Sequence, residues 1–342
     1  LSIFTNKDIK MDLIYMILLL LWSLLFYEQT SRGILADGYM KAVARIYVPT
    51  LFFPISYGLL SYLTKVEVEK LAVLFIDFSI LLFSVDTLFR IIFAPYSFSL
   101  STFFRFSYTF KGSSLLFADS NFTGVYIMSC YFLLEYISSH LRKCFLLQRA
   151  LLIALLLLTY SRGAILSFIL FSVIRIKRRS LISTALHIPI ALFFTSLIVL
   201  FVSKDGSFQT KLRITEVTFS LLAVDTRTML FGVGSGNLAN IFRHASHNLF
   251  GLTAELGLVG LGLYSLNLFV VLKKTGFDFF KVVVPVLVAG FSLFPIAYLG
   301  PMYVSLAFMA TYNSRLQSLS CVSTVLTKET NTKKSLSVLK ND

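Results

Sequence analysis

The chain is predicted to be all-α: a polytopic membrane helix bundle of about ten transmembrane helices, with one long outer loop carrying short helices. Three observations carry that expectation. Of 342 residues, 56% are hydrophobic and only 14% charged, with 35 Phe and a mean hydropathy of +0.80, against about 25% charged residues in a soluble domain. Apolar runs recur along the chain at bilayer length. Short, strongly basic connections recur between them.

The spans fall at roughly 12–27, 46–64, 71–93, 122–139, 144–160, 163–176, 181–202, 248–272, 282–298 and 301–314, judged against the 17–25 residues a crossing needs. Leu13–Tyr27 is followed by no small-residue cleavage site and is expected to be an uncleaved anchor. Lys and Arg near the ends of short loops set the orientation. "SSHLRKCFLLQR" (138–149), "RIKRRS" (175–180) and "LKKTGFDFFK" (272–281) share one side only if residues 144–176 form two legs that turn at Ser161-Arg162-Gly163. That topology puts both termini and the 315–342 tail inside, and Arg162 outside. Residues 1–342 are read as a single integral membrane domain.

The outer face keeps many cations, among them Arg162, Arg213, Arg227 and Arg243. Nucleic acid is not an expected partner there; a lipid-linked phosphate or an acidic glycan is. Cys130, Cys144 and Cys321 show no pairing and no Cys/His ligand spacing, so neither a metal nor a cofactor is expected.

Residues 203–247 form the long outer loop, a length usually functional or disordered. "KLRITEVTFSLLAV" has apolar residues at Leu212, Val217, Phe219, Leu221 and Leu222, the pattern of an amphipathic helix on the membrane surface. "GVGSGN" reads as a glycine-rich turn. Asn237 stands where a dinucleotide fingerprint needs its third glycine, and the strand–helix frame is missing, so that reading fails.

Arg162 reads either as a snorkelling, topology-setting residue or as a phosphate ligand, with Ser161 and Gly163 leaving backbone N–H groups accessible at a helix start. Arg213 is a solvated charge or a second phosphate clamp. Arg227 and Arg243 read first as solvated charges, with Arg227 carried as a further substrate contact. His247 is an interfacial histidine or a base for a sugar hydroxyl; His244 reads as structural. Asp119 and Asn121 fit helix capping first and acceptor-sugar hydrogen bonding second. Glu255 has a functional and a paired structural reading. Asp86 and Arg90, four apart, are expected to pair along one helix. Gly257, Gly260 and Gly262 are expected to permit close packing.

An ordered series of motifs resembles the O-antigen polymerase and O-antigen ligase superfamily of integral membrane glycosyltransferases, of the GT-C type. It runs "ADSNFTG" (118–124), "TYSRGA" (159–164), "KLRITEV" (211–217), "LFGVGSGN" (230–237) and "SHNLFGLTAELGLVGLGLY" (246–264), within residues 115–272. The resemblance implies metal-independent glycosyl transfer on the periplasmic face of the inner membrane. The donor it implies is an oligosaccharide linked to undecaprenyl pyrophosphate. Further implied partners are membrane lipid and a chain-length regulator protein. It assigns catalysis to His247, Arg213 and Arg162, and substrate binding to Arg162, Arg213, Arg227, Asp119, Asn121 and Asn248. Eight residues separate Asn248 from Gly257, where the ligase signature has nine, which points to a polymerase of lipopolysaccharide and polysaccharide biosynthesis; a ligase is the alternative. A flippase for lipid-linked sugars is the rival of another class. The outer cations would suit it as a vestibule, but their one-sidedness and the lack of a clear inverted repeat of broken spans weigh against it.

Overall fold

The computed structural model describes residues 9–34, 39–93, 115–117, 120–176, 206–238, 249–290 and 299–316. Every regular element among them is a helix. In chain order these are α1 (Ile9–Ser31), α2 (Tyr39–Leu60), α3 (Lys65–Phe93), α4 (Ser120–Leu141), α5 (Leu146–Leu158), α6 (Arg162–Ile176), α7 (Gly206–Leu222), α8 (Thr226–Phe231), α9 (Leu249–Thr275), α10 (Phe279–Gly290) and α11 (300–316). A 3-10 turn, Gly276–Asp278, joins α9 to α10. Among the described residues, four stretches are long and apolar enough to cross a membrane: Leu13–Ser31, Tyr39–Leu60, Lys65–Phe93 and Leu249–Gly290. The expected 181–202 span lies outside the described residues.

The surface pattern of α3 shows why such a chain suits lipid. Val68, Ala72, Ile76, Ser79, Phe83, Asp86 and Arg90 follow the 3.6-residue period and are buried. Leu74, Phe78, Leu81, Val85, Leu88 and Ile92 follow the same period on the opposite face and are exposed. In water that stripe would be a large apolar patch of the kind monomeric soluble proteins avoid; against acyl chains it carries no penalty. The helix opens on a capping box: the Thr64 N–H donates to Glu67 Oε2 at 2.8 Å, and the Glu67 N–H donates back to Thr64 Oγ1 at 3.4 Å.

The interior helices differ. In α11 nearly every residue from Met302 to Tyr312 is buried, and α4 is similar from Phe122 to Ser138. A helix buried on all sides belongs at the centre of a bundle. There α11 meets α9 through a polar cluster, where Asn267 Nδ2 donates to the Tyr303 hydroxyl at 2.9 Å and Tyr303 donates to Tyr264 at 3.4 Å. Such hydrogen bonds hold helices together where apolar burial gives no driving force.

The two-leg expectation for 144–176 is met. α5 starts beside the C-terminal end of α4, where Arg149 pairs with Glu135 and donates to Ser138 Oγ at 2.8 Å. It ends beside Gly124, at the other end of α4, where a Cβ would come within 2.9 Å of Ser161 Cβ. The chain reverses through Thr159–Ser161, with Tyr160 at φ 52. α6 then runs back alongside α4, Ala164 lying near Gly124 and Phe168 against Tyr131.

Asp86 and Arg90 form the expected ion pair, with both side chains 1% exposed. It does more than link turns of α3. Asp86 Oδ1 accepts the N–H groups of Leu115 (2.8 Å) and Leu116 (3.3 Å), and Arg90 Nη2 donates to Thr123 Oγ1 at 3.1 Å on α4. Arg90→Leu, which strands a buried carboxylate, is expected to cost about 3–5 kcal/mol. Asp86→Asn/Arg90→Leu keeps an acceptor for the two N–H groups without the charge and is expected to cost less. Thermal melts in detergent, followed by the fluorescence of Trp22, the chain's one tryptophan, rank the two.

Candidate functional site at the loop end

Two helices fix which groups share an end of the bundle. The C-terminal ends of α4 and α9 meet through Asn313, whose Oδ1 accepts from the Tyr136 hydroxyl at 2.6 Å and whose Nδ2 donates to Thr275 O at 3.0 Å. Their N-terminal ends both lie away from this junction, toward the opposite end. That end holds the described part of the 203–247 loop, the Thr159–Ser161 turn and Arg162.

The loop is built into this end. α7 packs on the start of α9 through Ile214 and Ala254, with Leu238 completing a small buried cluster. Thr218 Oγ1 donates to Phe250 O at 3.4 Å. The face against α9 is set by Ile214 and Thr218, and Phe219 is 61% exposed. α8 is capped by Asp225, which accepts the Thr228 hydroxyl at 2.6 Å and its N–H at 2.8 Å. These bonds hold the Asp225 carboxyl below the usual carboxylate range, so the cap is charged and in place at neutral pH.

After α8, the glycine-rich turn meets a broken helix. α9 loses helical geometry at Gly257, with φ 68 and ψ −173. A break exposes carbonyls that lack an intrahelical partner, and the turn supplies donors. The Val233 N–H donates to Ala254 O at 2.9 Å, and the Gly234 N–H donates to Glu255 O at 3.2 Å. Gln29, fully buried near the end of α1, completes the joint. Its Nε2 donates to Phe231 O (2.7 Å) and Glu255 O (2.8 Å), and its Oε1 accepts the Ser235 N–H at 3.2 Å. Asn237 Nδ2 donates to Ile34 O and to Val233 O. A Cβ at Gly257 would strike Leu230 O and the Gly232 N, so glycine is needed for its positive φ and for the close approach. Gly257 is thus a point of close packing, as expected, and also the site of the break. Gly260 does pack, with a Cβ there 3.2 Å from Leu25, while Gly262 faces open space.

The predicted residues divide as follows. Arg162 opens α6 and is half-buried, with Ser161 O accepting the Ile165 N–H at 2.9 Å in the manner of an N-cap. Arg213 is exposed on α7. Arg227 is also exposed and engaged by Glu28, its Nε donating to Glu28 Oε1 at 2.8 Å. Asn121 is half-buried in the first turn of α4. Glu255 Oε1 accepts the Leu238 N–H at 3.3 Å, which matches its structural reading. Asp119, Arg243, His244, His247 and Asn248 lie outside the described residues. Gln29 and Glu28 carry much of this end and were not singled out from the sequence. The usable signal was a polar Glu-Gln pair closing an apolar span.

A cavity of about 490 Å³ lies at the other end of the bundle, lined by Lys273 and Asp278 among others, away from all of these groups. Among the described residues no three His, Cys, Asp or Glu side chains stand together to hold a metal. Comparisons with protein families, with known proteins and with solved structures return no match. The class defined here is therefore architectural: an all-helical bundle with helices suited to a membrane and a structured loop closing one end.

Gln29→Leu leaves the Phe231 carbonyl and the Ser235 N–H without this partner, each costing about 1–3 kcal/mol when buried, while Glu255 O keeps the Gly234 N–H. Gly257→Ala forces a Cβ into backbone at a positive φ. Both are expected to lower the melting temperature by several degrees, Gly257→Ala more than Gly262→Ala, read by the same fluorescence melt.

Proposed function

We propose that this protein is a polysaccharide polymerase that joins repeat units linked to undecaprenyl pyrophosphate by glycosyl transfer on the periplasmic face of the inner membrane. What supports the reading is that Arg162 opens α6 beside the N-terminal end of α4, and that Arg213 stands on α7, which packs on the start of α9 next to the glycine-rich turn. A helix start with an adjacent guanidinium suits a pyrophosphate.

In this reading the acceptor is the sugar end of a second lipid-linked unit. Its hydroxyl oxygen attacks the anomeric carbon of the donor glycan. The new C–O bond forms as the C–O bond to the pyrophosphate breaks, and the electron pair leaves with the pyrophosphate. The hydroxyl proton passes to His247 as general base. Arg162 and Arg213 stabilise the charge that develops on the leaving group. Arg227, once drawn from Glu28, adds a third cation; Asp119, Asn121 and Asn248 hold sugar hydroxyls. About ten spans with both termini cytoplasmic complete the topology.

Arg162→Ala and His247→Ala are each expected to abolish long-chain polymer while the protein stays at normal membrane abundance. The glycan profile checks this: single repeat units on lipid A–core mean lost polymerisation, whereas bare core with lipid-linked polymer would reassign the chain as the ligase. Sidedness has its own test. Val224 is exposed at the loop end and Cys144 is exposed at the other. In a Cys321→Ser background, an impermeant maleimide applied to cells with a permeabilised outer membrane is expected to label Val224→Cys and to spare Cys144. Labelling of Cys144 alone would invert the topology.

A further inference from the structure

The end of the bundle opposite the loop holds a feature that glycosyl transfer does not use. Between the ends of α2, α9 and α11, beside the Gly276–Asp278 turn, lies the cavity of about 490 Å³, within the roughly 300–1,000 Å³ of small-molecule sites. We propose that it binds the phosphodiester headgroup of an anionic glycerophospholipid, held by Lys273 and Lys274.

Charge is the first argument. Both lysines line the cavity, together with the Ser314 hydroxyl. Among the described residues the one carboxylate in its wall, Asp278, is already paired with Lys281 and accepts Asn313 Nδ2 at 3.2 Å. The Thr275 carbonyl, at the negative end of α9, is taken up by the same amide at 3.0 Å. The groups that would repel an anion thus have partners inside the protein. The lysine ammoniums are placed over rings, Lys273 at 4.9 Å from the Phe269 centroid and Lys274 at 5.3 Å from that of Tyr57. A cation–π contact orients an ammonium, and at Lys273 it leaves N–H groups for an anion.

The second argument selects a lipid over free phosphate. Phe277, in the cavity wall, is 89% exposed, and its ring lies 6.2 Å from the ring of Phe280, also exposed. Two bare phenyl rings beside a cationic pocket, at the end of a helix suited to crossing a membrane, form an apolar lip. That pairing matches a molecule with a phosphate at one point and acyl chains beginning next to it. Basic pockets between transmembrane helices hold anionic headgroups in this way. The inference needs only the membrane setting and is independent of the glycosyl-transfer reading.

The test is native mass spectrometry of the full chain in detergent, titrated with phosphatidylglycerol, phosphatidylcholine or inorganic phosphate. Saturable retention of phosphatidylglycerol over phosphatidylcholine is expected. Lys273→Gln and Lys274→Gln are each expected to weaken it roughly fivefold, and Phe277→Ser to weaken it as well. Lys70→Gln, at an exposed lysine outside the cavity, is expected to leave it unchanged. Melts without lipid check that the variants remain folded, and Lys273 is itself exposed, so its single substitution serves if the double variant is unstable. Unchanged retention in Lys273→Gln/Lys274→Gln overturns the proposal. So does an equal loss in Lys70→Gln, which would mark diffuse attraction, or displacement of the lipid by inorganic phosphate at comparable concentration, which would mark a soluble anion site.

Discussion

The break in α9 at Gly257 is the constraint around which the loop end is organised. A helix interrupted inside a packed bundle must find partners there for its freed carbonyls. Here they come from two places distant in sequence: the 233–234 backbone and the Gln29 carboxamide, the latter 226 residues from Glu255. The break therefore draws α1, the glycine-rich turn and α9 to one point. The loop is a structural member of the bundle, and Arg213 on α7 is placed by contacts that end in this joint.

Much of the architecture was legible because it follows from transfer free energy and charge. Apolar runs marked the helices, and the basic segments around 142, 178 and 274 forced a reversal near Arg162, which occurs at Thr159–Ser161. Depth within the bundle was not legible. α3 and α11 are both strongly apolar, yet α3 exposes a full stripe while α11 is buried on nearly every side. Hydropathy measures transfer out of water, and lipid and protein interior are alike on that scale. The small residues Ala307 and Ala310, buried in α11, carry the difference, since they let neighbours approach.

The candidate site was legible where a residue announced its own cost and obscure where its partner was remote. Arg162 interrupts an apolar run, so it drew attention. Arg227 gave no sign that Glu28, 199 residues away, would neutralise it. The turn at 232–236 could be read as a turn, but its role depends on main-chain N–H groups, which are the same in every residue. Asp86 and Arg90 were predicted as a pair from spacing alone, yet their grip on Leu115, Leu116 and Thr123 depends on how α3 and α4 are placed. Spacing along one helix is local information; the rest is tertiary.

The two ends of the bundle treat cations differently, and the contrast bears on function. At the loop end, Arg227 meets a carboxylate on another helix, an ion pair that an incoming anion can exchange at modest cost because it is exposed. At the other end, Lys273 and Lys274 rest over the rings of Phe269 and Tyr57, while Lys65 and Lys281, over Tyr312 and Tyr136, also pair with Glu69 and Asp278. A ring supports an ammonium without cancelling its charge. The first arrangement suits a group that must come and go. The second suits a standing positive rim, the setting of the headgroup site proposed above.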